Sequence, residues 1–506
     1  MKYFIPAIFS FAFALNVNSQ SCTDCRYLSP VFDSITKETV LFARGVNADG
    51  DTQNLYMDVY QPYGDTLSLR PAMVFAFGGA FVQGSKNDWY VKEVCRHFTR
   101  AGYVSVAIDY RVGVKLSEIL ALQHMRIFFR PMQEIRAAVQ HLKADYSELG
   151  NNWRIDTSRI IIGGASSGAI SALMVAHCDK PSEMSEMGNI NALNALGGFY
   201  SSSGFYQNYS WNSIGTVNIA GALINANWVE AGDKPIISAH GNADQVVPYA
   251  YGAFGGGLLG GVFDLQGSYV VDSIARTKGV CSYLYTMEGK DHPSEDMGME
   301  YIYSVVYRIM LRMHALVNDR SFCCPLTADV TPGDTLFYAP GAPDATLTAQ
   351  VSNDNGNAQL QWCSIPCAYS LTANSITVTP DTALHYVMLV ASEGQCQSGD
   401  LYFLIDSTQL VSSVHATAYP LTVEIYPQPA ADYFLLDADL STLSENEGVI
   451  EIFDLTGRKL LRQHFYSSTD KLSIKVQTEN LPEGAYLLTL QTDNGIAAVK
   501  QIAIVR

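Results

Sequence analysis

Ser166 is a hydroxyl set between glycines, in Gly164-Ala165-Ser166-Ser167-Gly168, at the end of one apolar run and the start of another. A packed core gains nothing from a hydroxyl there, and a flexible linker is not flanked by such apolar segments. The glycines permit a tight strand-to-helix turn that a Cβ would block. Such a turn lifts the hydroxyl clear of a sheet, and the helix N-terminus behind it favours developing negative charge. The chemistry implied is nucleophilic catalysis. A hydroxyl is a weak nucleophile near neutral pH and needs a base, and the base needs a carboxylate to orient it.

Two downstream stretches supply these groups at loop positions after strands. "SAHGNADQVVPY" places Asp244, and "YTMEGKDHPSEDM" places His292. Each comes from a different strand end, so the three side chains can converge on one rim, in the chain order Ser, Asp, His. Asp264 and Asp291 are the alternative acids, and His240, His314 and His177 compete for the base. His314 sits in a helical run and reads as structural, and His240 reads as shaping the turn beside Asp244. An oxyanion needs main-chain N–H donors aimed at it. The glycine-rich turn in "AMVFAFGGAFVQGS" follows an apolar strand, so Gly79 and Ala80 are assigned this role, with Ser167 as the donor after the nucleophile.

Other residues carry plainer readings. Arg111 and Arg136 read as ion-pair buttresses. Trp89 and Trp228 either line the pocket or pack in the core. The segment 253–263, "AFGGGLLGGVF", is either a mobile apolar wall or a plain loop. No Cys/His spacing suits zinc, and no Lys-Ser/Thr follows a glycine run to make a phosphate loop. No metal and no cofactor is expected.

The elements that must position these groups follow from hydrophobic periodicity. "LYMDVYQP", "AMVFAFGG", "VSVAIDYR", "RIIIGG", "KPIISAHG" and "CSYLYTMEG" read as strands. "PMQEIRAAVQHLKADY" (with Pro131 in the first turn), "GAISALMVAHC" and "DMGMEYIYSVVYRIMLRMHALV" read as helices. Alternation of this kind predicts an α/β fold with a mostly parallel sheet covered on both faces, and ligands bind beyond the carboxyl ends of such strands. After Cys323-Cys324-Pro325 the chain turns Thr-, Ser- and Asn-rich with short alternating strands, which predicts a small β-sandwich. A second all-β stretch closes the chain, with Asn494-Gly495 as a hairpin signal. The expected organisation is 1–19 signal peptide, 20–322 catalytic unit, 323–410 immunoglobulin-like sandwich and 421–506 a further sandwich.

Length, charge and cysteines set the outer bounds. The 506 residues need two or three domains. A formal net charge of −17 argues against a nucleic-acid partner, because phosphate neutralisation needs clustered Lys and Arg. "MKYFIPAIFSFAFALNVNSQ" reads as a signal peptide cleaved near Ser19, too short to span a bilayer. No later apolar run is long enough for a membrane span. Export makes the ten cysteines disulfide candidates, with Cys22 and Cys25, and the set Cys363, Cys367 and Cys396, as clusters.

Four stretches in order, "FGGAFVQGS", "DYRVG", "GGASSGA" and "HGNADQVVP" followed by "DHP", resemble an α/β-hydrolase of the carboxylesterase/lipase group related to hormone-sensitive lipase, over about residues 40 to 315. The resemblance implies hydrolysis of carboxylic esters through an acyl-enzyme. The family's oxyanion loop usually begins with His, where this chain has Phe77, which bears on loop rigidity and on the alcohols accepted. "YPQPA", "IEIFDLTGRKL" and "LPEGAYLLTL" resemble the C-terminal sorting domain of the type IX secretion system of Bacteroidetes-like Gram-negative bacteria. That implies the type IX machinery as a partner and a secreted or cell-surface location. The expected substrates are short-to-medium acyl esters, or acetyl or feruloyl esters of polysaccharides. The competing readings are a peptidase of the same fold and a surface adhesin built on an inactive hydrolase scaffold.

Overall fold

The computed structural model describes residues 25–504 apart from 115–124, 255–263, 294–298, 332–334, 339–344, 366–368, 372–373, 379–384, 407–422, 428–429, 431, 441–446, 455–458, 468, 470, 483 and 493–494. An eight-stranded sheet organises the first part of the chain. Its strands are β1 (Ile35–Val46), β2 (Thr52–Pro62), β3 (Arg70–Ala76), β4 (Val104–Ile108), β5 (Ile155–Ala165), β6 (Thr216–Ile219), β7 (Ile236–Gly241) and β8 (Ser282–Met287). Their spatial order is β1-β2-β4-β3-β5-β6-β7-β8. The β1–β2 and β2–β4 pairs are antiparallel, and every pair from β4 onward is parallel.

The parallel strands β3, β4, β6 and β7 are buried from end to end. All seven residues of β3, all five of β4 and all six of β7 are inaccessible, as strands covered on both faces must be. The covering helices include α1 (Trp89–Arg100), α2 (Met125–Ser147), α3 (Ser167–His177), α4 (Ser268–Thr277) and α5 (Met299–Val317). Because β3, β5, β6, β7 and β8 run parallel, their carboxyl ends share one edge of the sheet. The expected strands and helices all appear. Pro131 differs from expectation: it lies inside α2, which already includes Met125, so it is not a first-turn residue. With no N–H, Pro131 leaves one helical hydrogen bond unmade.

Residues 327–406 form two four-stranded sheets, and 423–504 form a three-stranded and a four-stranded sheet around a core that includes Phe434, Leu436, Ile450 and Leu488. Gly484–Thr492 and Gly495–Ile504 pair antiparallel across the Asn494-Gly495 turn signal, whose residue 494 lies outside the described residues. The middle sheets pack against α5. Arg308 donates to Asp400, Gln397 Nε2 donates to Leu311 O (3.0 Å), and Tyr303 and Tyr307 meet Tyr386 ring to ring. Cys363, Tyr386, Met388 and Leu401 share one continuous core with the hydrolase sheet.

Disulfides reinforce this junction in pairings that the sequence clusters did not contain. Cys25 bonds to Cys363 and Cys281 to Cys323. Cys324 and Cys396 are free and partly buried, Cys95 and Cys178 are free and buried, and Cys22 and Cys367 lie outside the described residues. Docking of the strand Gln359–Ile365 beside the N-terminal segment brings together cysteines 338 residues apart. No rule of local spacing conveys such a pairing.

Candidate active site

Ser166 stands between β5 and α3 with φ 53° and ψ −123°. Its N–H donates to Ile219 O on β6 (2.8 Å), and its carbonyl accepts the first turn of α3 from Ile170 N (2.9 Å). A positive φ is costly for a residue with a Cβ and persists only where the surroundings enforce it. They do so here by close approach. A Cβ on Gly168 would lie 2.3 Å from Ala76 O, and one on Gly164 would lie 2.5 Å from Gly168 C. The two glycines let the elbow press against the end of β3.

Three side chains meet at this edge. The Ser166 hydroxyl donates to His292 Nε2 (2.9 Å), and His292 Nδ1–H donates to Asp244 Oδ2 (2.6 Å). Asp244 follows β7 and His292 follows β8, so each side chain arrives from a separate strand end. Asp244 Oδ1 accepts the amides of Val246 and Val247, both at 2.8 Å. Burial works against the Asp244 charge, yet hydrogen bonds from His240 and His292 outweigh it and hold the carboxyl well below the usual carboxylate range. The carboxylate therefore stays ionised and fixes His292 with its proton on Nδ1, leaving Nε2 free to accept from Ser166.

The loop after β3 turns through three successive positive φ values, at Gly79 (128°), Ala80 (54°) and Phe81 (65°). Gly78 N–H donates to the Tyr90 hydroxyl. Among the described residues, no acceptor takes the N–H of Gly79, Ala80 or Ser167. Phe77 does without the histidine of the resembled family by stacking on Tyr110, with ring centroids 3.9 Å apart. The Tyr110 hydroxyl lies 3.0 Å from Phe77 O and 3.1 Å from Ser167 Oγ, so one side chain spans the loop and the elbow. Sequence reasoning named "DYRVG" without a task for Tyr110, and missed Tyr90 altogether. A tyrosine two residues after the buried strand β4 was the available signal for the first.

Above Ser166 opens a cavity of about 560 Å³, walled by Trp89, Tyr90, Val94, Ile219, Val305 and Val306. Trp89 thus lines the site, whereas Trp228 is buried at 3% exposure. The competing residues lie elsewhere or face other partners. Asp264 accepts from Tyr251 (2.9 Å), and Asp291 accepts the amides of Gln245 (2.8 Å) and His292 (2.6 Å). His177 pairs with Asp233 (2.9 Å), and His314 Nδ1–H donates to Gln397 (2.9 Å). His240 is the exception, since its Nε2 also reaches Asp244 Oδ2 (3.1 Å). Arg111 pairs with buried Glu134 (2.6 Å) as an ion-pair buttress. Arg136 departs from that expectation. Among the described residues it has no carboxylate partner, and it donates to Phe199 O (2.5 Å) beneath the Trp211 ring. Burial pushes its guanidinium down to about 10. Of the segment 253–263, residues 255–263 lie outside the described residues.

Among the described residues no cluster of His, Cys, Asp and Glu is arranged to hold a metal ion, and no helix is long and apolar enough to cross a membrane. The BD-FAE family model, of the α/β-hydrolase esterases, matches residues 57–203. The secretion system C-terminal sorting domain matches residues 424–505. No curated protein matches the chain. Solved structures of esterase 2 from Thermogutta terrifontis are similar. The form phosphorylated by paraoxon is 18% identical, with 56% of this chain and 94% of that one covered and a TM-score of 0.40. The propionate-bound form is 19% identical, with 56% and 93% covered and a TM-score of 0.39. The chain thus joins an α/β-hydrolase domain of carboxylesterase type to a C-terminal sorting domain that marks it for type IX secretion to the exterior or the cell surface.

Proposed function

We propose that this chain is an exported serine esterase in which Ser166 attacks the ester carbonyl, His292 takes the hydroxyl proton, and Asp244 holds the imidazole in the tautomer that can accept it. The attack gives a tetrahedral oxyanion held by the N–H groups of Gly79, Ala80 and Ser167. Collapse expels the alcohol, which takes its proton from His292 Nε2 and leaves the acyl group on Ser166. Water then repeats the sequence, with His292 as base, and releases the acid. Oxyanion donors of this kind are each worth on the order of 3 kcal/mol of the barrier. The observation that carries the reading is the unbroken chain from Ser166 Oγ through His292, both lining the cavity, to the buried Asp244 behind them.

The mostly apolar cavity wall suits short-to-medium acyl chains, and its outward opening suits acetyl or feruloyl groups carried on a polysaccharide. Residues 1–19 act as the signal peptide for the inner membrane of a Bacteroidetes-like cell, and the type IX machinery receives the tail. The test is a panel of p-nitrophenyl esters of graded length beside acetylated and feruloylated xylan, with Ser166→Ala as control. Turnover that vanishes in the variant supports the assignment, and turnover that persists overturns it.

A further inference from the structure

Asp244 Oδ2 accepts two imidazoles. His292 Nδ1 lies at 2.6 Å on the side of the cavity, and His240 Nε2 lies at 3.1 Å. His240 is the penultimate residue of β7, is 0% exposed, and is not among the residues that wall the cavity. Its Nε2 faces two acceptors, Asp244 Oδ2 and Val247 O (3.1 Å), so that nitrogen carries a hydrogen. Its Nδ1 lies 2.7 Å from Ser268 Oγ, at the first residue of α4. Ser268 Oγ accepts from Asn218 Nδ2 (2.9 Å) and lies 3.0 Å from Gly221 O. Asn218 Oδ1 in turn accepts Gly221 N–H (2.9 Å). A buried chain of polar groups therefore runs from Asn218 on β6 through Ser268 and His240 to the carboxylate.

A core position with no exposure would pack equally well around an apolar ring or chain, and a buried imidazole is costly unless both nitrogens find partners. Here both do, and one partner is the acid of the proposed triad. We propose that His240 is a positioning residue for the esterase reaction, fixing the Asp244 carboxylate so that its grip on His292 stays in line with Ser166. This rests on the triad proposed above. The two amides hold Oδ1 only, and the His240 N–H adds a fixed donor on Oδ2, the oxygen that His292 uses. Held at both oxygens, the carboxylate plane keeps the angle His292 requires. His292 is partly exposed on its loop, and its Nδ1–H is held by Asp244 alone among the described residues. The consequence is a kcat effect with little change in KM, because His240 touches neither the cavity nor the substrate.

The test compares His240→Leu, which removes the N–H, with His240→Gln, whose amide returns a donor near the place of Nε2. Both are measured on p-nitrophenyl acetate in the full chain, normalised to the folded fraction. His240→Leu is expected to lose kcat by on the order of tenfold to a hundredfold, as small misplacements of catalytic groups do, with KM little changed. His240→Gln should recover most of the loss. A folded His240→Leu with wild-type kcat overturns the proposal, as does a loss that Gln fails to rescue and that falls equally on KM. Should His240→Leu not fold, Ser268→Ala decides: a kcat loss at constant KM supports the positioning chain, and unchanged kcat overturns it. Asp244→Asn is run in parallel. If it retains full activity, the triad itself has failed, a result distinct from failure at His240.

Discussion

Gly168→Ala probes how the nucleophile and the oxyanion loop are held together. The new Cβ would lie 2.3 Å from Ala76 O and 2.4 Å from Phe77 O, where ordinary contact begins at 3.4 Å. The shortfall is about 1 Å, and it falls on the main chain of β3 and on the start of the oxyanion loop, which no side-chain rotation relieves. The elbow and the loop must separate, carrying the N–H groups of Gly79 and Ala80 away from the Ser166 hydroxyl. A displacement of about 1 Å between reacting groups costs on the order of a hundredfold in rate, equivalent to losing one oxyanion donor at about 3 kcal/mol. Overpacking itself costs about 1–3 kcal/mol of stability, a fall of a few degrees in Tm for a domain of this size. The expected outcome is a folded protein whose kcat/KM on p-nitrophenyl acetate, per folded molecule, drops about a hundredfold. Wild-type kcat/KM alongside the lowered Tm would refute the idea that this contact sets the oxyanion geometry.

Other perturbations separate the remaining parts. Ala80 has φ 54°, so Ala80→Pro both forbids that backbone and deletes the N–H. Its kcat should fall by at least about a hundredfold, whereas Ala80→Gly keeps the donor, relieves about 1 kcal/mol of left-handed strain and should raise Tm without loss of rate. Burial pushes the His314 imidazole down to about 4, against the hydrogen bond to Gln397 that favours its charge. The unfolded chain binds a proton there near pH 6.5 and the native state does not, so stability should fall as pH drops from about 6.5 towards 4, by up to about 3 kcal/mol. His314→Gln should flatten that part of the Tm-against-pH curve, and an unchanged curve would contradict the assignment. Replacing Cys281 and Cys323 together by Ser opens a loop with a sequence separation of 42. Chain entropy then predicts a loss of about 4 kcal/mol in chemical denaturation, and a loss within error of zero would contradict it.

Much of the fold was legible because its signals are local. The buried parallel strands read as short apolar runs and the covering helices as amphipathic periods, and glycines beside Ser166 marked the sharp turn. Asp244 and His292 each follow an apolar strand in the sequence, and in the structure His292 lies within hydrogen-bond reach of both Asp244 and Ser166. What was not legible depends on contacts distant in sequence. Cys25 and Cys363 are 338 residues apart in sequence and meet where the middle sheets pack against the first part of the chain. Phe77 is explained by the Tyr110 ring that lies against it, and a missing histidine gives no hint of that replacement. Arg136 looks like an ion-pair residue in the sequence but is solvated by the carbonyls of Phe199 and Ser201 and the rings of Phe199 and Trp211, from another part of the chain. His240 was read as shaping a turn. Its bond to the carboxylate depends on the depth of the β7 end, which spacing does not convey.

The most direct measurement is covalent labelling with a fluorophosphonate, followed by mass mapping of the modified peptide. If Ser166 is activated by His292 and Asp244, the folded wild type takes up one phosphonyl group on the peptide containing Ser166, and Ser166→Ala takes up none. Uptake at another residue, or a folded wild type that does not react, would contradict it.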